Sequence, residues 1–356
     1  MQSDSSMTGA VGDRQSLKLI IQIPCLNEAD TIDEALRALP RHVAGFDVVE
    51  WLVIDDGSCD QTSARAVALG VHHVVRHPVN RGLAVAFMTG LEAALSLGAD
   101  VIVNTDADNQ YCADDIPLLV LPILNKEADL VIGARPIDET EHFSWLKKKL
   151  QRLGSWAVRV ASRTEVNDAP SGFRAMSRDA AMRLNVFNSY TYTLETIIQA
   201  GLSNLVVLSV PIRTNDDLRP SRLVKSVSSY VRRSLATIIR VAVIYQPLAF
   251  FLWVGGLLTL SGIAVGGRFV YYYTHGQGDG HAQSVTLCAL LLTLGALMAV
   301  LGVVADLVAV NRKLLERVLY HIQHAEQKLR DLTPTSPPVQ RVAVPDASME
   351  APVRIR

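Results

Sequence analysis

Four segments of this 356-residue chain carry the residue types that could do chemistry. They begin at Pro24, Asp55, Asp106 and Asp168 and read PCLNE, DDGSCDQT, DADNQ and DAPSGFR. Asp106 and Asp108 offer two carboxylates on one short segment. Proteins hold Mg²⁺ or Mn²⁺ with one or two such carboxylates while phosphate oxygens of a substrate complete the coordination shell. The pair therefore predicts a divalent-cation site that could neutralise the negative charge of a diphosphate leaving group.

Short apolar runs, rich in Val and Ile, precede most of these segments and read as buried strands. The expected strands cover residues 17–24, 48–55, 72–76, 101–106 and 129–133, and helical patterns cover residues 30–39, 61–69, 83–97 and 114–124. This alternation predicts an α/β fold with a mostly parallel sheet and helices on both faces. Ligands of such sheets bind outside the carboxyl ends of the strands. There, Glu28 and Asp56 are expected to accept hydrogen bonds from a nucleobase or ribose, and Gln110 extends the edge that holds Asp106.

Two long runs without charge, residues 241–267 and 283–305, predict a membrane hairpin. Each reaches the roughly 20 residues that cross a hydrocarbon core, and a polar loop at 268–283 separates them. Buried core helices are the alternative, which two such runs in succession make the weaker one. Basic residues flank the hairpin on its open side: Arg232, Arg233, Arg240, Arg312, Lys313 and Arg317.

The positive flanks predict that the large domain and the C-terminal end both lie in the cytoplasm. We expect a two-span protein of a bacterial inner membrane, with Tyr271, Tyr272 and Tyr273 in the opposite interface. Gly262 and Gly266 form a GxxxG pattern in the first run, which we interpret as chance because small residues are common in spans. Two spans in each chain would allow homo-oligomerisation through the helices.

The remaining segments complete the expected organisation of the chain. Residues 1–16 and 333–356 lack apolar periodicity and are expected to be disordered tails. A catalytic domain is expected at 17–220, a juxtamembrane amphipathic helix at 221–240, the hairpin at 241–310 and a cytoplasmic helix at 311–332. Basic and apolar residues mix at 143–163 and 221–240, which suits either a membrane interface or an ordinary surface helix; the long apolar runs favour the interface.

The composition excludes several classes of partner and site. Lys and Arg number 34 against 35 Asp and Glu, so the chain carries no basic excess of the kind that binds nucleic acid. Its four cysteines have neither CxxC nor Cys/His spacing, which predicts neither a disulfide framework nor a zinc site.

In this order, from residue 17 to 239, the motifs resemble glycosyltransferase family 2, with the GT-A fold, and within it the dolichol- and polyprenyl-phosphate sugar transferases. The resemblance implies inverting, Mg²⁺- or Mn²⁺-dependent transfer of a sugar from a UDP- or GDP-sugar to a polyprenyl phosphate. Asp168 matches the acidic position of the acceptor-side motif, where it would act as a base or orient the acceptor. The resemblance implies a nucleotide pocket at Pro24, Leu26, Glu28, Ile54 and Asp56, a cation and diphosphate site at Asp106, Ala107, Asp108 and Gln110, and phosphate-facing positions at Arg135 and Arg152.

One motif departs from the family pattern. Where the family often reads R-x-x-G-x-S-K, this chain reads LRPSRL at 218–223. We take Arg219 and Arg222 as the counterparts that face the acceptor phosphate, with Lys225 as a weaker candidate. An arginine in place of lysine allows bidentate contact with a phosphate.

Other functions are less favoured by the sequence. A processive polysaccharide synthase would normally show QxxRW, which none of the four tryptophans follows. A nucleotidyltransferase needs a glycine-rich basic loop where this chain has PCLNE, and a dinucleotide oxidoreductase needs GxGxxG after a strand. A non-enzymatic membrane scaffold on a degenerate transferase domain remains an alternative that the intact DAD segment opposes.

Overall fold

The computed structural model describes residues 16–136, 159, 162, 164–186, 192–215, 239–240, 243–276 and 282–332. Within them, seven strands form one sheet. The strands are β1 (Lys18–Cys25), β2 (Val48–Asp55), β3 (His73–Arg76), β4 (Val101–Asn104), β5 (Leu130–Ala134), β6 (Arg174–Ser177) and β7 (Val207–Pro211). The helices are α1 (Ile32–Ala38), α2 (Thr62–Ala68), α3 (Leu83–Ser96), α4 (Ile116–Leu124), α5 (Arg178–Arg183), α6 (Thr193–Leu202), α7 (Pro247–Thr274) and α8 (Ala282–Leu332).

The sheet has the strand order β3-β2-β1-β4-β6-β5-β7 and is parallel except for β6. This confirms the predicted α/β class, and each predicted strand and helix of the first 134 residues lies within two residues of its expected bounds. Strands β6 and β7 were not predicted individually. Residues 174–177 read RAMS, a short segment without the apolar run or alternation that marks a strand.

Helices cover both faces of the sheet because the side chains of the central strands are apolar on each face. Leu19, Ile21 and Ile23 of β1 belong to the core under α1 and α4, whereas Ile20 packs into the second core with Phe87 of α3. Parallel sheets buried on both faces read as continuous apolar runs for this reason. The two cores pack against the two faces of the sheet, and the polar segments that follow the strands lie at its carboxyl edge.

Helices α7 and α8 are long and apolar enough to cross a membrane, and only 11% of the most apolar window of each is buried. A core helix of this length would be largely buried, whereas Trp253 and Leu257 of α7 are 81% and 68% exposed. These two helices support a membrane protein. The predicted start of the polar loop at residue 268 is wrong, because α7 continues to Thr274 and includes the three tyrosines. Helix α8 runs unbroken to Leu332.

Glycines bring α7 and α8 into close contact. A Cβ added at Gly255 would lie 2.9 Å from the carbonyl oxygen of Gly295, and one at Gly266 would lie 2.8 Å from Cys288 Sγ. A Cβ at Gly262 would approach Leu291 to 3.1 Å. The interpretation of the GxxxG pattern as chance is therefore wrong, because both of its glycines face the partner helix and permit close packing.

Substituting Gly255 by Val should destabilise the hairpin, because the new side chain would meet the backbone of α8. Overpacking of this kind costs about 1–3 kcal/mol, so the detergent-solubilised variant should unfold several degrees lower in a thermal scan. Gly256→Val is the matched control, since nothing lies within 4 Å of a Cβ at that position. Equal losses in the two variants would contradict the assigned contact.

Candidate active site at the carboxyl edge of the sheet

The polar segments predicted to carry chemistry meet at one edge of the sheet. Parallel strands β1, β2, β4 and β5 all end there, and antiparallel β6 begins there. The last residue of β4, Asn104, pairs with Gln22 of β1 on one side and with Arg174 of β6 on the other. Residues 105–110 and 168–174 are thus brought side by side, although 57 residues (111–167) separate them in the chain.

Asp106 and Asp108 form the acidic centre of this edge. Burial and the neighbouring Asp108 carboxylate raise the pKa of Asp106 to about 7, against the opposing effect of Arg135 and Arg174. A hard cation would stabilise the ionised form of a carboxyl group whose charge is disfavoured in this way. The described residues hold no cluster of three or more His, Cys, Asp or Glu side chains suited to a metal. A cation here would therefore take most of its ligands from water and substrate oxygens, as Mg²⁺ does.

The turn after Asp108 shapes this centre. Asp108 Oδ1 accepts a hydrogen bond from the backbone N–H of Gln110 at 3.2 Å, and Asn109 between them has a φ of 57°. The carbonyl of Gln110 accepts a bond from the backbone N–H of Asn215. These bonds fix the backbone that carries Asp108 and Gln110 beside the predicted cation site. That Gln110 is a ligand stays a prediction.

Arg135 and the buried Asp168 form an ion pair beside the acidic centre. The Arg135 guanidinium donates through Nε to Asp168 Oδ2 at 2.7 Å and through Nη2 to Oδ1 at 3.1 Å. The backbone N–H of Arg135 also donates to Oδ2, and Asp168 is 1% exposed. Asp168 therefore holds the guanidinium in a fixed orientation, whereas a base would need one oxygen directed at the acceptor.

A buried hydrogen-bond network underlies the acidic centre, and sequence analysis missed it. Asn104 Oδ1 accepts from Gln22 Nε2 at 2.9 Å, and Asn104 Nδ2 donates to the carbonyl of Gly172 at 2.8 Å and to the Tyr192 hydroxyl at 2.9 Å. Gln22 lies on β1, Asn104 ends β4, and Tyr192 directly precedes α6. A signal was present, since Gln22 and Asn104 are amides within otherwise apolar strands.

Gly172 touches the carboxylate of Asp106 directly. A Cβ at this position would lie 2.8 Å from Asp106 Oδ2 and 3.0 Å from the Tyr192 hydroxyl oxygen. The N–H of Gly172 donates to the Tyr111 hydroxyl at 2.9 Å. Only glycine leaves space for the Asp106 carboxylate here, which gives a physical role to the glycine of the DAPSGFR segment.

Arg174 is a fully buried cation next to this glycine. Its guanidinium donates to the carbonyl oxygens of Ser171 and Thr193 and to the Thr196 hydroxyl. Burial lowers its pKa, and the surrounding hydroxyls and carboxylates oppose that change. The DAPSGFR motif contains this arginine but predicts no role for it; its buried contacts make it a fixed positive charge behind Asp106.

The residues expected in a nucleotide pocket occupy the adjoining strand ends. Asp56 is 3% exposed, and its carboxylate accepts from the His77 ring at 2.7 Å and from the N–H groups of Arg81 and Gly82 at 2.9 and 2.8 Å. This carboxylate thus fixes the loop that begins α3. Because it already accepts three hydrogen bonds within the protein, it can accept fewer from a ligand than the sequence predicts.

Glu28 lies at the neighbouring strand end and is half-buried. Its Oε2 accepts a hydrogen bond from the Thr31 hydroxyl at 2.8 Å, and its carbonyl accepts from the N–H groups of Thr31 and Ile32 at the start of α1. Among the other expected pocket residues, Pro24, Ile54 and Ala107 are buried and Leu26 is half-buried. The predicted phosphate-facing residues Arg152, Arg219, Arg222 and Lys225 lie outside the described residues.

Substituting Asp106 by Asn should stabilise the metal-free protein, and more so at pH 8 than at pH 5. The pKa of this carboxyl is about 7 in the folded chain against 3.8 in its ordinary state, so ionisation costs stability increasingly as pH rises from 4 to 7. Denaturant titration with a chelator present should show a gain at pH 8 that exceeds the gain at pH 5 by about 2–3 kcal/mol. Asp114→Asn, at an exposed carboxylate nearby, should leave stability unchanged. An equal gain at both pH values would argue against the raised pKa.

Comparison with known proteins places this site in a family. The model of the family described as "Glycosyl transferase family 2" matches residues 20–184. The UDP-N-acetylglucosamine–dolichyl-phosphate N-acetylglucosaminyltransferase of Methanococcus voltae is 31% identical over 54% of this chain and 83% of its own length. The undecaprenyl-phosphate mannosyltransferase of Micrococcus luteus is 28% identical over 55% of this chain and 83% of its own length.

A solved structure shares the fold of the catalytic half. Glucosyl-3-phosphoglycerate synthase of Mycobacterium tuberculosis, in complex with phosphoglyceric acid, aligns with a TM-score of 0.50 and 25% identity over 62% of this chain and 80% of its own. The family match spans β2 to β6 and contains Asp106, Asp108 and Asp168. From the family match, the extent of the likeness to its relatives and the fold, we conclude that this chain belongs to glycosyl transferase family 2.

Proposed function

We propose that this glycosyltransferase moves a sugar from a nucleotide-sugar to a polyprenyl phosphate at the membrane surface, and that a divalent cation assists. The observation that carries the proposal is the pair Asp106 and Asp108, held at the edge of the sheet beside Arg135 and the buried Arg174. Relatives named for transfer to dolichyl phosphate and undecaprenyl phosphate support the acceptor class. The two long apolar helices support access to a lipid.

The donor would bind across the carboxyl edge with its diphosphate next to the acidic pair. Asp106 and Asp108 would hold Mg²⁺ or Mn²⁺, which when bound neutralises the charge that develops on the departing nucleoside diphosphate. Arg135, oriented by Asp168, would present a planar set of donors to a phosphate. Glu28 and Asp56, at the adjacent strand ends, would line the nucleotide side.

The chemical step needs little proton transfer. A phosphate monoester is largely ionised near neutral pH, so one of its oxygens can form a bond to the anomeric carbon directly. The bond from that carbon to the donor's diphosphate breaks, its electron pair leaves with the nucleoside diphosphate, and the anomeric configuration inverts. The tasks left to the protein are positioning and charge stabilisation.

The topology belongs to the same proposal. Arg240 lies before α7, and Arg312, Lys313 and Arg317 lie on α8 beyond its apolar part, which supports a cytoplasmic catalytic domain. A nucleotide-sugar would then be available on the side where the site opens. The nucleotide base, the sugar and the length of the polyprenyl chain are left to experiment.

A donor screen tests the reaction. Purified protein with Mg²⁺ or Mn²⁺ and a polyprenyl phosphate is offered radiolabelled UDP- and GDP-sugars singly, and label in the lipid phase is counted. Transfer from one donor that chelator abolishes supports the proposal and identifies the sugar. Transfer only to water-soluble phosphorylated acids such as phosphoglyceric acid, or metal-dependent donor binding without transfer to lipid, would contradict the acceptor. Absence of both binding and transfer would favour a scaffold.

Substituting Asp108 by Asn should reduce transfer at least ~100-fold, because the site loses a charged ligand for the leaving diphosphate. Initial rates with saturating donor measure the effect, and membrane extraction of the variant should be unchanged. Asp114→Asn is the control, since that carboxylate is exposed outside the acidic centre, and its rate should stay within about twofold of the parent. A retained rate in Asp108→Asn would exclude the carboxylate pair as the cation site.

Substituting Asp168 by Asn and Arg135 by Lys should give losses that do not add, because each change breaks the same ion pair. The double variant should be no more than about threefold slower than the worse single variant. The pH profile of each single variant distinguishes the alternative role for Asp168. If Asp168 is the base, only its substitution removes the acid limb of the profile, and the two losses multiply.

A further inference from the structure

The second membrane helix continues far beyond its apolar part and contacts the catalytic domain. The charge-free run ends at Ala305, and Asp306 follows it, whereas α8 extends to Leu332. About 26 residues of helix, or roughly 39 Å at the usual rise, therefore lie past the hydrocarbon core. Two groups of side chains join this extension to helices α5 and α6.

The first contact involves Tyr245, which precedes α7 and is 7% exposed. Its hydroxyl donates to Glu195 Oε1 at 3.1 Å in the first turn of α6. The guanidinium carbon of Arg312, on α8, lies 4.6 Å from the centre of the Tyr245 ring. A cation over an aromatic ring at this distance is attractive, so Tyr245 links the start of α8's polar extension to α6.

The second contact is farther along α8. The Tyr320 hydroxyl donates to Asp179 Oδ1 at 2.7 Å in the first turn of α5. Arg183 pairs with Asp179 at 2.8 Å and lies over the Tyr320 ring, with its guanidinium carbon 4.9 Å from the ring centre. Tyr320 thus joins a cation and a carboxylate that belong to one helix of the catalytic domain.

These contacts lie at opposite edges of the sheet. Helix α6 begins directly after Tyr192, whose hydroxyl bonds to Asn104 at the carboxyl end of β4. Helix α5 begins at Arg178, whose N–H donates to the carbonyl of Asp100, just before β4 starts. Arg312 therefore lies near the level of the active-site edge, and Tyr320 lies near the level of the opposite edge.

The spacing along α8 agrees with this geometry. Eight residues separate Arg312 from Tyr320, which is about 12 Å of helix. The four residues of β4 span about 10–13 Å. Since the chain leaves the membrane before Arg312, helix α8 passes the active-site edge first and the opposite edge second.

We propose that the extension of α8 is a strut that holds the catalytic domain with its active-site edge toward the membrane, through the Tyr245 and Tyr320 contacts. The orientation follows from the contacts alone. Its consequence for catalysis rests on the proposed function, because only a membrane-embedded acceptor needs the site at a fixed height and angle. The strut would deliver the acceptor phosphate to the edge that carries Asp106 and Asp108.

The orientation can be measured without any turnover. Two singly labelled proteins are compared in liposomes, both with Cys112→Ser and Cys288→Ala. The first carries a fluorophore on Cys59, which is exposed at the active-site edge. The second carries it on Glu127→Cys, at the exposed turn before β5, and also has Cys59→Ser. A quencher on lipid headgroups should quench the Cys59 label more strongly by at least about twofold. Equal quenching, or stronger quenching at position 127, would overturn the strut.

The role of the two tyrosines is tested in the same liposomes and by transfer. Tyr245→Ala combined with Tyr320→Ala should remove most of the difference in quenching. It should also lower kcat/KM for a long-chain polyprenyl phosphate about tenfold while transfer to a short, water-soluble isoprenyl phosphate changes less than about twofold. Tyr273→Phe, at the far end of α7 where the ring is 67% exposed, is the control.

The outcomes separate the two proposals. Equal losses with both acceptors, or unchanged quenching in the double variant, would show that the tyrosines do not set the orientation. If the parent protein uses neither acceptor, the proposed function fails while the quenching result still decides the strut. Circular dichroism of each variant confirms that the catalytic domain is folded.

Discussion

The side-chain amide of Asn104 is the interaction on which the active-site edge depends. It is completely buried and joins β1, the 168–174 segment and the start of α6 through three hydrogen bonds. A buried amide that loses a partner costs about 1–3 kcal/mol, so these three parts of the chain are held in a single arrangement. Because Asp106 follows two residues later and rests against Gly172, the position of the carboxylate pair is set by this amide.

The strands and helices whose pattern lies within one short segment could be predicted from the sequence. Apolar runs such as residues 48–55 are short and rich in β-branched residues, which favours buried strands. Polar residues that directly follow such strands are then expected at the edge of the sheet. Contacts between distant segments could not be read in this way. The pairing of Asp168 with Arg135 and the approach of Gly172 to Asp106 arise from the antiparallel insertion of β6, which no pattern in RAMS announces. Likewise, the glycines of α7 acquire meaning only when α8 lies against them.

The catalytic sheet and the long apolar helices would contribute differently to the choice of acceptor. The catalytic sheet is shared with a protein whose structure holds a small phosphorylated acid, and both a sugar acid phosphate and a lipid phosphate present the same charged group. This chain also carries the hairpin, whose most apolar windows are only 11% buried. Acceptor choice in the proposed reaction would therefore reside less in the acidic centre than in the helices that bring a phosphate to it.

The position of β5 in the sheet has a consequence for how the protein is made. Its two neighbours, β6 and β7, both follow it in the chain, so β5 has no strand to pair with when it leaves the ribosome. The first four strands can pair as they emerge, whereas β5 must wait for β6, and the outer strand β7 is complete only at residue 211. Such non-local pairing is slow, and the next long apolar segment begins only about 30 residues later. Completion of the active site and delivery of the hairpin to the membrane thus fall in the same short interval of synthesis.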